Sequence, residues 1–316
     1  MFQFMHYPPQ LWFGQLSLGL INGSFYALLS LGLAVIFGML NIVNFAHGAV
    51  YMLGAFCAWF LLNGFDIPYP VLVHGHLALA SAHLPSHLNM WWALFLSPLF
   101  VGIFGMILQR TMLRRLDGLE PIYGLLLTFG LAAIIQGLLQ NAYGSSGEPY
   151  DIPGVLSGGH NLGFMFLPNY RIFVVVASSI VCFGTWFAIE RTRFGATLRA
   201  ATENPKLVQA FGINVPLMIT LTYGLGVAIA AFAGVLAAPI YQVNPTMGAD
   251  LIVVVFAVVV IGGMGSILGS IISGYMLGLI EGVTKVIYPQ ASGVIVFVIM
   301  AVVLLMRPSG LFGRAS

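Results

Sequence analysis

Charge is what this sequence lacks most. Of its 316 residues only 6% are charged, against 59% apolar, and the mean hydropathy is +0.99. A soluble domain carries about 25% charged residues. A chain so poor in charge cannot cover a globular surface with polar groups, so its solvent must be mostly lipid. Cysteine is nearly absent too. Cys57 and Cys182 both fall in apolar runs, where a free thiol behaves as a small apolar group, so no disulfide framework is implied. No Lys or Arg precedes Arg110. The start therefore lacks the basic region of a cleavable signal, and the first apolar run is expected to remain as an anchor. No G-x-x-x-x-G-K-[ST] loop occurs; "GGMGS" at 262–266 lacks the lysine. ATP hydrolysis by this chain is excluded on that ground. Nucleic-acid binding is excluded as well, because no basic patch is interleaved with aromatics.

What is there is a series of apolar runs. A hydrocarbon core of about 30 Å needs about 20 helical residues. Runs at 12–38, 42–62, 91–109, 121–141, 170–189, 215–239, 250–263, 266–285 and 292–306 predict an all-α polytopic membrane protein of nine spans, with eight or ten as alternatives. The first is long enough to tilt or bend. The seventh is short and reads as a half-helix or a segment that dips in and returns. Arg110, Arg114 and Arg115 follow span three; Arg191, Arg193, Arg199 and Lys206 follow span five; Arg307 and Arg314 follow span nine. With nine alternating spans these clusters share one side, which the positive-inside rule makes cytoplasmic. The C-terminus is then cytoplasmic and the N-terminus outside. Lys285 dissents, four residues from Glu281, with which it can pair.

The whole chain, 1–316, reads as one permease-like membrane domain with three notable connections. The outer segment 63–90 holds His74, His76, His83 and His87. Pro85 interrupts the single i, i+4 pair, and no Cys or carboxylate completes a site, so no metal is expected; a loop lying on the membrane surface is. The outer segment 142–169 is rich in Gly, Pro and Ser and reads as an ordered cap or hairpin. Its "GSSG" at 144–147 is a loop and not a membrane-helix start, so a protease built on Ser146 and His160 is set aside.

The third connection, 190–214, is the longest on the cytoplasmic side. It contains a punctuated short helix: Asn204 as N-cap, Pro205 at the first helical position and Gly212 just past the end. Leu207, Ala210 and Phe211 form one apolar stripe, with Lys206 and Gln209 off it. Two turns do not stand alone in water, so this helix must dock, either beneath its own spans or in a groove of a cytoplasmic partner.

Small residues recur every four positions in spans one (Gly19, Gly23, Ala27), six (Gly226, Ala230, Gly234, Ala238) and eight (Gly269, Ser270, Gly274, Gly278, Gly282). They let backbones approach closely. Most are expected to pack within the chain; a seam between permease subunits would fall at span one or eight. Between spans one and two lies "NIVNFAHGA", with Asn41, Asn44 and His47 among apolar residues. Non-helical backbone at membrane depth must be buried in protein or line a wet cavity. "VNFAHGA" at 43–49 and "VNPTMGA" at 243–249 share V-N-x-x-x-G-A, a weak sign of an inverted repeat with its copies on opposite sides. Asn22, Asn41, Asn44, His47 and Asn244 are the candidate pathway residues, His47 more readily as a turn-holding group than as a proton carrier.

"NGSFYALLSLGLAVIFGMLNIVNFAHGAVYMLGA" (22–55), "FGATLRAATENPKLVQAFGIN" (194–214), "VIGGMGSILGSIISGYMLGLIE" (260–281) and "LLMRPSGLFGR" (304–314) resemble the LivH-type permeases of branched-chain amino acid ABC importers. The resemblance covers nearly the whole chain; the histidine-bearing stretch is extra length. It implies a bacterial inner-membrane subunit with a second, LivM-like permease, two cytoplasmic ATPase subunits holding ATP–Mg, and a periplasmic solute-binding protein. No cofactor is implied in this chain. Asn204, Pro205, Lys206, Leu207, Gln209, Phe211 and Gly212 would form the ATPase-coupling helix, although the E-A-A-x-x-x-G signature of other ABC permeases is absent. Branched-chain amino acids, urea, short amides and aromatic acids all remain open as solutes. The rival reading is an ion-coupled secondary transporter using His47, Asp250 or Glu281.

Overall fold

The computed structural model describes residues 8–40, 44–73, 76–84, 86, 88–116, 118–163 and 165–313. Seven helices are long and apolar enough to cross a membrane: α1 (Pro9–Leu40), α2 (Ala46–Asn63), α3 (Met90–Thr111), α4 (Pro121–Tyr143), α5 (Asn169–Arg191), α8 (Val215–Tyr241) and α10 (Ile267–Ile287). Two shorter apolar helices, α9 (Met247–Gly262) and α11 (Ile295–Met306), bring the apolar helices among the described residues to the nine runs read above. Two polar helices, α6 (Arg193–Glu203) and α7 (Pro205–Ala210), fill the connection from α5 to α8.

The all-helical expectation needs one correction. The 63–90 segment is a strand pair and not an irregular loop: β1 (Phe65–Val73) and β2 (His76–Leu84) pair antiparallel from Phe65↔Leu84 to Val73↔His76. Of the four histidines in this segment, His74 and His87 lie outside the described residues. The 142–169 segment holds the expected hairpin, β3 (Gly159–Asn161) against β4 (Phe166–Pro168).

α1 is the central post. At 1.5 Å per residue its 32 residues reach about 48 Å, and most of its length is buried. Its glycines decide what it touches. A methyl on Gly19 would stand 2.5 Å from the Gly278 carbonyl oxygen, and one on Gly23 would stand 3.0 Å from the Tyr275 Cα. The small faces of spans one and eight are therefore packed against each other within the chain, as expected for most of the small residues. Ser30 donates to the Ser270 carbonyl at 3.1 Å and stitches the same crossing. On α8, Gly226 abuts the Gly32 carbonyl and Gly234 the Tyr51 carbonyl.

The packing of these helices has a hidden symmetry. α1 packs on α10, as α8 packs on α3; α2 packs on α8, as α9 packs on α1. α2 touches α3 and α4, as α9 touches α10 and α11, and α1–α8 and α2–α9 are themselves neighbours. Exchanging α1–α4 for α8–α11 in order leaves every one of these pairings in place. α5 stands outside the exchange and leads into α6 and α7.

The basic clusters gather at one end of this bundle. Gln109 near the end of α3 accepts from Thr220 near the start of α8. Arg199 donates to the Ile189 carbonyl at the end of α5. Leu311, beyond Arg307, donates to the Ile261 carbonyl at the end of α9. Arg171, at the start of α5, joins Lys285 at the opposite end. α1 enters from that opposite end and α8 from the basic end, so the two four-helix halves are inverted with respect to each other.

Candidate functional site

The second helix of each half is entered through an asparagine turn, and the two turns are built alike. Asn44 accepts the Ala46 N–H on Oδ1 at 3.0 Å, while its carbonyl accepts the His47 N–H. Asn244 accepts the Thr246 N–H on Oδ1 at 3.1 Å, while its carbonyl accepts the Met247 N–H. Asparagine suits both places because its short amide bonds the backbone two residues on. That satisfies N–H groups at a helix start where lipid offers no partner.

The two arms then meet. A methyl on Gly48, in the first turn of α2, would stand 2.5 Å from the Gly248 carbonyl oxygen and 3.1 Å from Ile252 Cβ. Gly248 is closed off in the same way by Gly48. One arm starts from the basic end, where Gly38 lies beside Gly265. The other starts from the opposite end, where Val243 exchanges both backbone hydrogen bonds with Glu148. The V-N-x-x-x-G-A copies were expected on opposite sides. They enter from opposite ends and touch inside the bundle. Gly48 thus has a reason: only a residue without a side chain permits this crossing.

His47 is fully buried beneath the crossing. Its Nε2 donates to the Leu29 carbonyl at 3.0 Å, a methyl on Gly32 would strike its ring, and Nδ1 has no partner among the described residues. Asn44, also buried, donates to the Tyr223 hydroxyl at 3.1 Å. Both side chains tie α2 to its neighbours. Asn41 lies outside the described residues.

Asn22 and Asn244 have a different setting. They line a cavity of about 340 Å³ together with Phe25, Tyr26, Tyr51, Tyr241, Met247, Asp250 and Leu251. It lies on the end of the bundle away from the basic clusters. Its rim is ordered by two hydroxyls: Tyr241 donates to Asn22 Oδ1 at 2.8 Å, and Tyr26 donates to Glu281 at 2.7 Å. Glu281 also holds Lys285 at 2.6 Å. A smaller cavity of about 130 Å³, lined by Phe45, Gly48, Phe129, Gln136, Pro245 and Ile252 among others, flanks the same glycine crossing toward α4. Trp59, in α2, donates to the Pro149 carbonyl, and burial pushes the neighbouring Tyr150 phenol well above its ordinary pKa.

At the basic end, α7 carries the punctuation read from the sequence. Asn204 Oδ1 accepts the Leu207 N–H at 3.0 Å, Pro205 opens the helix, and Gly212 follows it at φ +82°. Its apolar stripe is turned outward: Leu207 is 54% and Phe211 78% exposed. Val208 faces inward against Ala201 and Val215. Lys206, Gln209 and Gly212 are exposed too.

The family model described as the permease component of the branched-chain amino acid transport system matches residues 15–304. The chain belongs to that family. It is 32% identical over 306 residues to the high-affinity branched-chain amino acid transport system permease protein BraD of Pseudomonas aeruginosa, covering 95% of each chain. It is 27% identical over 311 residues to LivH of Escherichia coli K12, covering 94% of each. A probable LivH of Methanocaldococcus jannaschii is 27% identical over 312 residues, covering 93% of this chain and 90% of that one. No solved structure matches it. The chain is thus a multi-pass transport permease and not an enzyme.

Sequence reasoning missed several groups in this permease. α6 was not foreseen, although Thr192 caps it and Gly195, Leu198 and Ala201 form its buried side. Tyr26, Tyr51 and Tyr241 were not singled out; a tyrosine in an apolar run carries no spacing signal. The cavity of about 450 Å³ at the basic end, between α1, α6 and the 263–266 turn and lined by Gly38, Glu190, Arg199 and Ser266 among others, was likewise invisible.

Proposed function

We propose that this permease crosses the bacterial inner membrane nine times, with its basic end cytoplasmic and its N-terminus outside. It works as one membrane subunit of an ATP-driven importer. The basic clusters at one end support that orientation by the positive-inside rule. α9 and α11, of 16 and 12 residues, are too short to cross alone; α9 is continued by the 242–246 arm and α11 by the 288–294 segment. The partners are a second permease, two cytoplasmic ATPase subunits carrying ATP–Mg and an external solute-binding protein. The cargo is a branched-chain amino acid, as the names of the relatives say of those proteins.

The observation that carries this reading is the outward stripe of α7. A two-turn helix that exposes Leu207 and Phe211 to water, on the basic end, is unfinished without a partner. An ATPase groove completes it in the helix-in-groove manner. Nucleotide-driven closure of the ATPases would then move α7, with α6 and the start of α8, and tilt one inverted half against the other about the Gly48–Gly248 crossing. The energy enters as differential affinity of the partners for the two conformations. Asn22 and Asn244 stand on the solute path at its outer mouth, and Asn44 and His47 hold the crossing. An ion-coupled carrier needs linked ionisable groups; Glu281 is engaged by Tyr26 and Lys285, and His47 by a carbonyl.

The test is the pair Leu207→Asp and Phe211→Asp in the assembled transporter. The expected result is an inserted, correctly folded permease that no longer retains the ATPase subunits and gives no uptake. Normal ATPase retention with normal uptake would refute the docking assignment.

A further inference from the structure

The outer cavity is lined by four polar residues that keep hydrogen-bonding or charge capacity unspent among the described residues. Tyr51 is 1% exposed, lines the cavity, and its hydroxyl has no hydrogen-bond partner among the described residues. A buried hydroxyl left unpaired costs about 1–3 kcal/mol in protein contexts, so a group that supplies its partner is favoured there. Asp250, in the first turn of α9, lines the same space and forms no ion pair among the described residues. Asn22 and Asn244 each spend Oδ1 on internal bonds, to Tyr241 and to Thr246. Their amide nitrogens make no bond among the described residues and remain as donors toward the cavity they line. Phe25, Met247 and Leu251 supply an apolar wall.

We propose that this cavity is a solute-recognition site of the permease itself, with Asp250 as its specificity-determining residue. It takes a small zwitterion: the primary ammonium at Asp250, the carboxylate among the amide donors of Asn22 and Asn244 and the Tyr51 hydroxyl, and an apolar side chain against Phe25 and Met247. The inference rests on the import reading and deepens it. It separates the solutes that composition left open. Urea and short amides have no cation for Asp250, and aromatic acids bring a second negative charge to it. A cavity of about 340 Å³ is of a size that ligand sites of small molecules occupy.

The test reads the cavity directly and does not depend on the binding protein's own selection. In the assembled transporter carrying Cys57→Ala, Cys182→Ala and Leu251→Cys, the engineered thiol is modified with a cationic (trimethylammonium-ethyl) and an anionic (sulfonato-ethyl) methanethiosulfonate. Asp250 is exposed; its carboxylate, one residue away, should favour the cationic reagent by about tenfold, because it attracts one reagent and repels the other at a near-surface effective dielectric. Asp250→Asn should abolish the preference and Asp250→Glu should keep it. L-leucine at millimolar concentration should slow modification with Asp250 or Glu in place, and 4-methylpentanoate, which lacks the ammonium, should not. Equal rates for the two reagents, or protection by both solutes alike, would overturn the proposal. If ATP-driven uptake were absent while the charge preference and leucine protection held, the import reading would fall and this site would stand.

Discussion

Replacing Gly48 by Ala adds one methyl at the point where the two inverted halves touch. That carbon would stand 2.5 Å from the Gly248 carbonyl oxygen and 3.0 Å from its carbon. Resting contacts between such atoms lie near 3.5 Å, so the arms must part by about 1 Å. Neither neighbour is a flexible side-chain tip; both are backbone, held by the Asn44 and Asn244 turns. Overpacking of this kind typically costs 1–3 kcal/mol. Against it stands the helix propensity gained, about 1 kcal/mol for Gly→Ala. The net loss should be about 1 kcal/mol, and about 2 kcal/mol if α2 cannot slide. Gly184→Ala in α5 is the control, since a methyl there meets nothing within 4 Å; it should stabilise by about 0.5–1 kcal/mol. Thermal unfolding of the purified permease in one detergent, followed by the loss of its monodisperse chromatographic peak, ranks the three proteins. The expected order is Gly184→Ala above wild type above Gly48→Ala, with uptake falling only in the last. Gly48→Ala as stable as Gly184→Ala would refute the tight crossing.

Three further outcomes follow from particular contacts. Tyr170→Phe removes the 2.9 Å bond from its buried hydroxyl to the Leu236 carbonyl in α8 and should lower stability by about 1 kcal/mol, measured in the same unfolding assay. Asn204→Ala removes the cap of α7, worth about 1 kcal/mol; ATPase retention should weaken severalfold in pull-down, and Asn204→Ser should recover most of it. Ser97→Ala frees the buried Gly54 carbonyl, which Ser97 Oγ bonds at 2.7 Å between α3 and α2; a loss of about 1–2 kcal/mol is expected by the same assay.

The membrane part of this fold was legible because lipid imposes a length and a composition on every crossing. The nine runs correspond to nine helices, and the short seventh run is α9, whose start is unwound. α7 was legible because Asn204, Pro205 and Gly212 are each required by a different physical constraint at a helix end. α6 has its cap at Thr192 but no stop signal of its own. It ends directly at Asn204, so its amphipathic pattern merged with the next helix. The β1–β2 hairpin was hidden by Pro68, Pro70 and the histidines, which break the strand-like alternation. The V-N-x-x-x-G-A copies were visible as letters, but depth is not written in a sequence. That the two asparagine turns reach inward from opposite ends and meet at Gly48 and Gly248 follows only from the packing of α2 on α9. The outer cavity is a product of the same packing. It joins residues of α1, α2, α8 and α9 that lie more than 200 positions apart, and its tyrosines gave no local signal.

The most direct test of a permease moved by partners that grip α7 is solute flux with and without nucleotide. The permease is reconstituted in vesicles with its second permease, ATPase subunits and binding protein, and radiolabelled L-leucine entry is followed with ATP–Mg present or omitted on the ATPase side. Entry that requires ATP–Mg, and disappears with Leu207→Asp, is the expected result. Leucine entering at the same rate with nucleotide omitted would contradict it.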